Sequence, residues 1–363
     1  MSQANIPIYA DDNYKQLVSR IEDLKDERLG KAIPKELYKK NTFKSLVGFF
    51  ASYALYLGSI VAIAFSPHWT VTIVCLIAAG LGAWGLHCIA HDCGHGSLSN
   101  NRSLNMIVGH LSLIPLLYPF HAWRHVHNMH HGATNNLEMD TDWRPISKDI
   151  YNRMAFWDRT EYLFNRSIGF WAGTLQYWWK SGFRPSFFPQ KKARNEVRRS
   201  ILFVVIVGVI IFSTLGYYTG IKGILLYFIL PLLSTHIWFS VVTLMHHTAE
   251  DLPFLEKENW SLNGSRILLT TDYLYPKWIL WFTHNITIHA AHHVSPTIPY
   301  FNLPKAQEAL KEAYPGMIRE KKFSFKILWG IVTKCHFYDP QTGYYLSAKE
   351  AKKADGTTQT QSV

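Results

Sequence analysis

Four long apolar stretches dominate the pattern of hydrophobic and polar positions along the chain. They cover about residues 45–66, 70–90, 201–218 and 223–245, and each is almost free of charge. Roughly 20 apolar residues, at about 1.5 Å each, let a helix cross a bilayer. The links within each pair are very short, Ser66 to Trp69 and Tyr218 to Lys222. The pattern predicts an all-α integral membrane protein with four transmembrane helices in two hairpins. Buried core helices of a soluble protein rarely come as four such runs joined in pairs by tiny loops.

Other apolar segments fit this scheme less simply. Residues 104–120 are interrupted by Pro115 and Pro119, so they are expected to dip into the membrane or pack beneath it. Residues 168–183 carry Trp171, Tyr177, Trp178, Trp179 and Phe183, the composition of an interfacial helix. Residues 304–314 predict an exposed amphipathic helix, stopped by Pro315-Gly316. The polar tail from Lys349 is expected to be disordered. The chain thus divides into an N-terminal segment (1–44), a membrane domain (45–315) and a C-terminal segment (316–363).

The net charge of +11 is by itself compatible with nucleic acid, an anionic membrane or an acidic partner. Its distribution decides. Of the 37 Lys and Arg, only Lys222 lies at a hairpin tip. The others fall on the side that both termini share, which the positive-inside rule makes the cytoplasm. Topology therefore explains the basic balance, and no nucleic acid is needed. Residues 1–40 are polar and do not read as a signal peptide. The expected location is a multi-pass bacterial inner-membrane protein with both termini cytoplasmic. The four cysteines, Cys75, Cys88, Cys93 and Cys335, make no C-x-x-C pair, so no disulfide framework is expected.

The same topology collects the histidines. The chain has 18, and three clusters stand out. His91 and His95 follow the second apolar stretch, His127, His130 and His131 lie in the next polar segment, and His289, His292 and His293 follow the fourth stretch. Residues three and four apart share one helix face, so each cluster can aim its rings at one point. All three arrive on the cytoplasmic side and would form a histidine-rich cap. Eight imidazoles exceed one tetrahedral site and suit a pair of transition-metal ions. Imidazole accepts iron, copper, zinc or nickel. The chain lacks the Glu-x-x-His of soluble di-iron bundles and the H-E-x-x-H of zinc proteases. An all-histidine pair at a membrane face points to oxygen activation on a lipid-soluble substrate.

These boxes resemble the signature of the membrane fatty acid desaturases. After the second box, Thr134, Glu138 and Asp140 continue a pattern, H-x-x-H-H-x-x-T-x-x-x-E-x-D, like that of delta-12 members. Thr243 to Thr248, His284 to Ile286, and His292 to Leu303 resemble the family's runs around the third box, so the likeness covers roughly residues 50–315. The first box has three residues between its histidines, closer to the acyl-lipid delta-12 (omega-6) and omega-3 branch than to the acyl-CoA delta-9 branch. The run from His284 to His289 is one residue shorter than in plant members and fits bacterial relatives better.

The resemblance implies two iron ions (Fe2+), O2 as co-substrate, and a cis double bond introduced into an acyl chain supplied by the bilayer. It adds His247 to the eight box histidines as a ninth ligand, with His246 the competitor. Ligating histidines need their other nitrogen held, often by a carboxylate. Asp92 and Asp140 are candidates for that support, and Thr243 is a candidate to hold a metal-bound water. His87 and His284 are candidates for support or simple packing. No C-x-x-C-H and no strand-linked G-x-G-x-x-G is present, so the electron donor is expected to be separate, a ferredoxin or a cytochrome. A fatty acyl hydroxylase, a conjugase or a carotenoid oxygenase on the same scaffold is the alternative. A histidine-rich metal transporter is more remote, because its ligands belong at mid-membrane on facing helices.

Overall fold

The computed structural model describes residues 6–353, and these are mostly helical. The first helix, α1 (Asp12–Asp23), precedes a hairpin of α2 (Thr42–Ala64) and α3 (Trp69–His95). Helix α4 (Arg102–Ser112) leads through a short 3-10 turn into α5 (Phe120–Ala133). The segments Arg102–Leu116 and Phe120–Ala133 are bent by 98° at the break between them. Further on, α6 (Lys191–Ile224) and α7 (Leu230–His247) are joined by a π-helical turn, Leu225–Ile229. Two later elements matter for the site, α8 (His289–Val294) and the helix Leu303–Ala313.

Among the described residues, three helical runs are by themselves long and apolar enough to cross a membrane: Thr42–Ala64, Trp69–His95 and the 57-residue run Lys191–His247. The third is not straight. Gly220 sits inside it at φ 62° and ψ −166°, a backbone that side chains with a Cβ rarely adopt. Phe212 and Phe228 flank it and stack edge to face with ring centroids 4.9 Å apart. On a straight helix those residues would stand about 24 Å apart. The run therefore folds back on itself at the position where the sequence predicts a hairpin tip.

Helix α3 is the centre of the apolar layer. Its residues from Ala79 to Cys93 are buried, and α2, α4 and α7 all pack on it. Gly82 makes the α2 contact possible, because a Cβ there would meet the Tyr56 backbone nitrogen at 2.7 Å. Small residues at such crossings let helices approach closely. The outer faces are apolar instead: Phe50, Leu57 and Val61 on α2, and Leu202, Val209 and Ile210 on α6, are exposed. Such faces are stable against lipid rather than water, and mark a membrane protein.

A second core lies beside this layer. Tyr14, Val18 and Ile21 of α1 pack with Leu252, Ile267, Leu268, Leu303 and Leu310. Ala291 and Val294 of α8 point into the same core, which leaves the histidines of α8 for its other face.

Several expectations need correction. The fold is not purely helical: β1 (Thr271–Leu274) pairs in parallel with β2 (Arg319–Lys322), and β3 (Phe337–Tyr338) pairs with β4 (Tyr345–Leu346). Two to four residues give too short a period-two signal to read from sequence. The helix predicted at 304–314 forms, but it is not simply exposed, since Leu303, Ala306 and Leu310 are buried. The tail predicted as disordered from Lys349 is helical over 348–353, with Ala351 buried; its remainder lies outside the described residues. The aromatic segment 168–183 holds a short 3-10 turn and a helix, Gly173–Gly182.

Candidate metal centre

Four helices deliver the clustered histidines to one place. The last turn of α3 carries His91 and His95, and Gly96 ends that helix immediately afterwards. Helix α5 carries His127, His130 and His131, α7 ends on His247, and α8 supplies His289, His292 and His293. The structure brings all nine together in two groups. His91, His95, His127, His131 and His292 form one, and His130, His247, His289 and His293 form the other; within each group, one ring nitrogen per residue lies within 4.8 Å of all the rest. The boxes are not assigned one to each group. Neighbouring residues of α5 and of α8 diverge between the two, because adjacent positions on a helix point about 100° apart.

The ring nitrogens have the spacing of a coordination shell. His127 Nε2 is 3.0 Å from His131 Nε2, which is 3.0 Å from His292 Nε2. In the second group, His247 Nε2 is 3.2 Å from His130 Nε2 and 3.0 Å from His289 Nε2, which is 3.0 Å from His293 Nε2. Nitrogens bound to one ion at about 2.0–2.1 Å would stand roughly 2.9–3.4 Å apart. Both nitrogens of His91, Nε2 of His95 and Nδ1 of His131 are buried without a hydrogen-bond partner. Leaving a buried polar atom unmet costs about 1–3 kcal/mol. Burial also holds His292 and His293 well below the ordinary imidazole range, helped by neighbouring histidines. They are therefore neutral, the form that binds metal. The donor set fits two transition-metal ions.

Supporting contacts differ from residue to residue. Asp140 Oδ1 accepts the His130 Nδ1–H at 2.7 Å, while its Oδ2 accepts the Asn135 N–H at 2.6 Å. That bond fixes His130 with Nε2 towards its group. Thr134 Oγ1 donates to the His130 carbonyl at 3.0 Å and lies 3.1 Å from His293 Nδ1. Since the hydroxyl proton is committed, His293 Nδ1–H donates to Thr134 and Nε2 stays free. His289 Nδ1 lies 3.3 Å from the Ile286 carbonyl.

The structure places the remaining candidates elsewhere. Asp92 Oδ2 accepts the Tyr300 N–H at 3.1 Å, and its Oδ1 is 3.8 Å from His91 Nδ1, beyond hydrogen-bond range. Asp92 ties α3 to the segment after α8 rather than orienting His91. Thr243 Oγ1 donates to the Phe239 carbonyl and accepts the Trp143 Nε1–H, both at 2.9 Å, so its hydroxyl is already engaged. His284 Nε2 meets Ser52 Oγ at 2.9 Å, and its ring packs on Tyr300. His87 stacks on Trp84 at 4.9 Å and has no partner for either nitrogen. His246 is outside both groups; it packs on His289 with ring centroids 3.9 Å apart.

Two supports escaped the sequence reading. Asp272 on β1 accepts the N–H of His289 at 2.5 Å and of Ala290 at 2.9 Å, and Gln307 also bonds it. Burial lifts its carboxyl to about 7, against the lowering effect of those N–H groups. It thereby anchors the start of α8, which feeds both groups. Asn135 donates to the carbonyls of His247 and Pro253 at 3.0 and 3.2 Å. No local motif marks Asp272; Asn135 directly follows Thr134 of the quoted pattern and could have been suspected from that.

A cavity of about 550 Å³ adjoins the centre, within the usual size range of small-molecule sites. His91, His127, His130, His247 and His289 form part of its wall, together with Trp84, Trp123, Phe239, Val242 and Ile286. Arg144, Glu161 and Lys180 also line it.

Comparison with known proteins agrees with this geometry. The fatty acid desaturase family model matches residues 67–320. The chain belongs to the fatty acid desaturase family. As such it is an oxidoreductase. This desaturase is 33% identical to the sn-1 oleoyl-lipid 12-desaturase of Picosynechococcus over 334 residues, 92% of this chain and 94% of that protein. It is 34% identical to the enzyme of the same name from Synechocystis over 328 residues, 89% and 92% of the two chains. With the chloroplastic omega-6 fatty acid desaturase of Spinacia oleracea it shares 32% identity over 326 residues, 88% of this chain and 71% of that one.

Proposed function

We propose that this desaturase introduces the delta-12 cis double bond into the oleoyl chain of a membrane lipid. The observation that carries the reading is the pair of all-histidine groups opening onto a cavity with an aromatic and aliphatic wall. One iron ion would be held by His91, His95, His127, His131 and His292, the other by His130, His247, His289 and His293. Bound there, the two irons supply the oxidation of two adjacent methylenes at the expense of O2 and two electrons. Trp84, Trp123, Phe239 and Val242 align the acyl chain and exclude water, which keeps the oxidising chemistry in a dry site. The apolar part of the wall discriminates by shape rather than by hydrogen bonds, so the position of the double bond follows from how far an acyl chain can reach along those residues. The relatives' names, oleoyl-lipid 12-desaturase and omega-6 desaturase, support the regiochemistry.

The fold-back at Gly220 and the charge distribution support four spans with both termini in the cytoplasm. The cap then sits where a soluble donor, a ferredoxin or a cytochrome, reaches it. Expression in a host that makes oleoyl but no polyunsaturated lipid tests the reading. Mass spectrometry of its lipids should find a new double bond at carbon 12. A hydroxyl group, or a double bond elsewhere, would refute it.

A further inference from the structure

A groove on the flank of the molecule is separate from the histidine cavity. It encloses about 550 Å³. Its walls come from the first turns of α2 (Phe43, Lys44, Val47), from the helix Lys277–Phe282 (Lys277, Trp281) and from Phe301. Most of the wall is apolar, but the two ammonium groups are not neutralised. No acidic side chain lines the groove. Lys44 Nζ lies 5.4 Å above the Phe301 ring, and among the described residues neither lysine forms an ion pair.

The surroundings of the groove say what should fill it. Phe43, Val47, Phe50, Leu57 and Val61 are exposed at 77%, 46%, 64%, 52% and 57%. Their spacings of three, four and seven put them on one face of α2. This stripe begins in the groove and runs along the membrane helix. Trp278 and Trp281, also exposed, stand beside Lys277, the pairing of aromatic and basic residues typical of a membrane–water boundary. A cationic notch at the head of an apolar stripe matches a molecule with an anionic head and a long apolar tail.

We propose that this groove binds one anionic phospholipid, its phosphate between Lys44 and Lys277 and an acyl chain along the α2 stripe. The site is a lipid-binding site distinct from the cavity where an acyl chain would be oxidised. The inference rests on α2 being a membrane helix and not on the desaturation reaction.

Native mass spectrometry of the full chain, exchanged in detergent with phosphatidylglycerol or phosphatidylcholine, tests it. The wild type should retain phosphatidylglycerol at least threefold better than phosphatidylcholine. Lys44→Gln with Lys277→Gln should abolish that preference, Lys44→Arg with Lys277→Arg should keep it, and inorganic phosphate should not compete. Equal retention of the two lipids by the wild type would overturn the proposal without needing any variant. So would a preference unchanged in the glutamine pair, competition by free phosphate, or a lipid-free dimer as the main species. The readout is lipid retention, so an inactive enzyme still gives an answer.

Discussion

The two histidine groups are built from shared helices, yet their rings are held in different ways. In the four-histidine group every member is buried, and three rings have their Nδ1 engaged, by Asp140, Thr134 and the Ile286 carbonyl. In the five-histidine group, His95 and His127 are only partly buried, His91 has neither nitrogen partnered, and His131 Nδ1 has no partner. The protein fixes ring orientation and tautomer for those three rings in the first case. In the second it gathers more imidazoles and leaves their aim to helix packing. The four-histidine group should therefore depend on residues outside its ligands, and the five-histidine group on its ligands alone.

The largest effect should come from the ligands. His292→Ala removes one from the five-histidine group and His130→Ala one from the four. Either should abolish desaturation while the chain still reaches the membrane, as measured by lipid analysis beside membrane fractionation. Full turnover in either variant would dissolve the comparison. Asp140→Asn should sharpen it. It keeps the side chain's shape but weakens the hold on His130, and loss of such a support typically costs about 10–100-fold in metal affinity or activity. Metal titration of the variant should show one weakened site and one unchanged site; equal weakening of both would show that the groups are not independently supported.

Asp272→Asn acts on what the groups share. The amide keeps one acceptor oxygen for the His289 and Ala290 N–H groups but loses the second, which accepts from the Gln307 amide. A loss of about 1–3 kcal/mol should appear as a lower thermal midpoint in detergent, with both metal sites weakened together. The smallest effect is expected at His284. It contacts Ser52 and Tyr300, so His284→Gln should leave metal content unchanged and lower only the thermal midpoint.

Part of this was legible in the sequence, for physical reasons that also mark where legibility ends. The long apolar helices could be read because an apolar run is summed over many residues. The box histidines could be read because a spacing of three or four shares a helix face wherever the helix goes. His247 and His246 could not be separated that way: they are consecutive, their rings stand 90° apart, and only the packing of α7 decides which faces the centre. Asp92 was attractive because it adjoins His91, but neighbours in sequence point away from each other on a helix, and Asp92 faces Tyr300 instead. Asp272 reaches α8 from β1, 17 residues away along the chain, a contact that exists only once the fold has formed. The division into five and four, which cuts across the boxes, was hidden for the same reason.

Iron quantification on purified, reconstituted protein tests the central claim most directly. The account predicts two iron ions per chain in the wild type, falling to about one in His292→Ala, with the four-histidine site still filled. A wild-type chain that takes up a single ion, or that loses both ions together in His292→Ala, would contradict it.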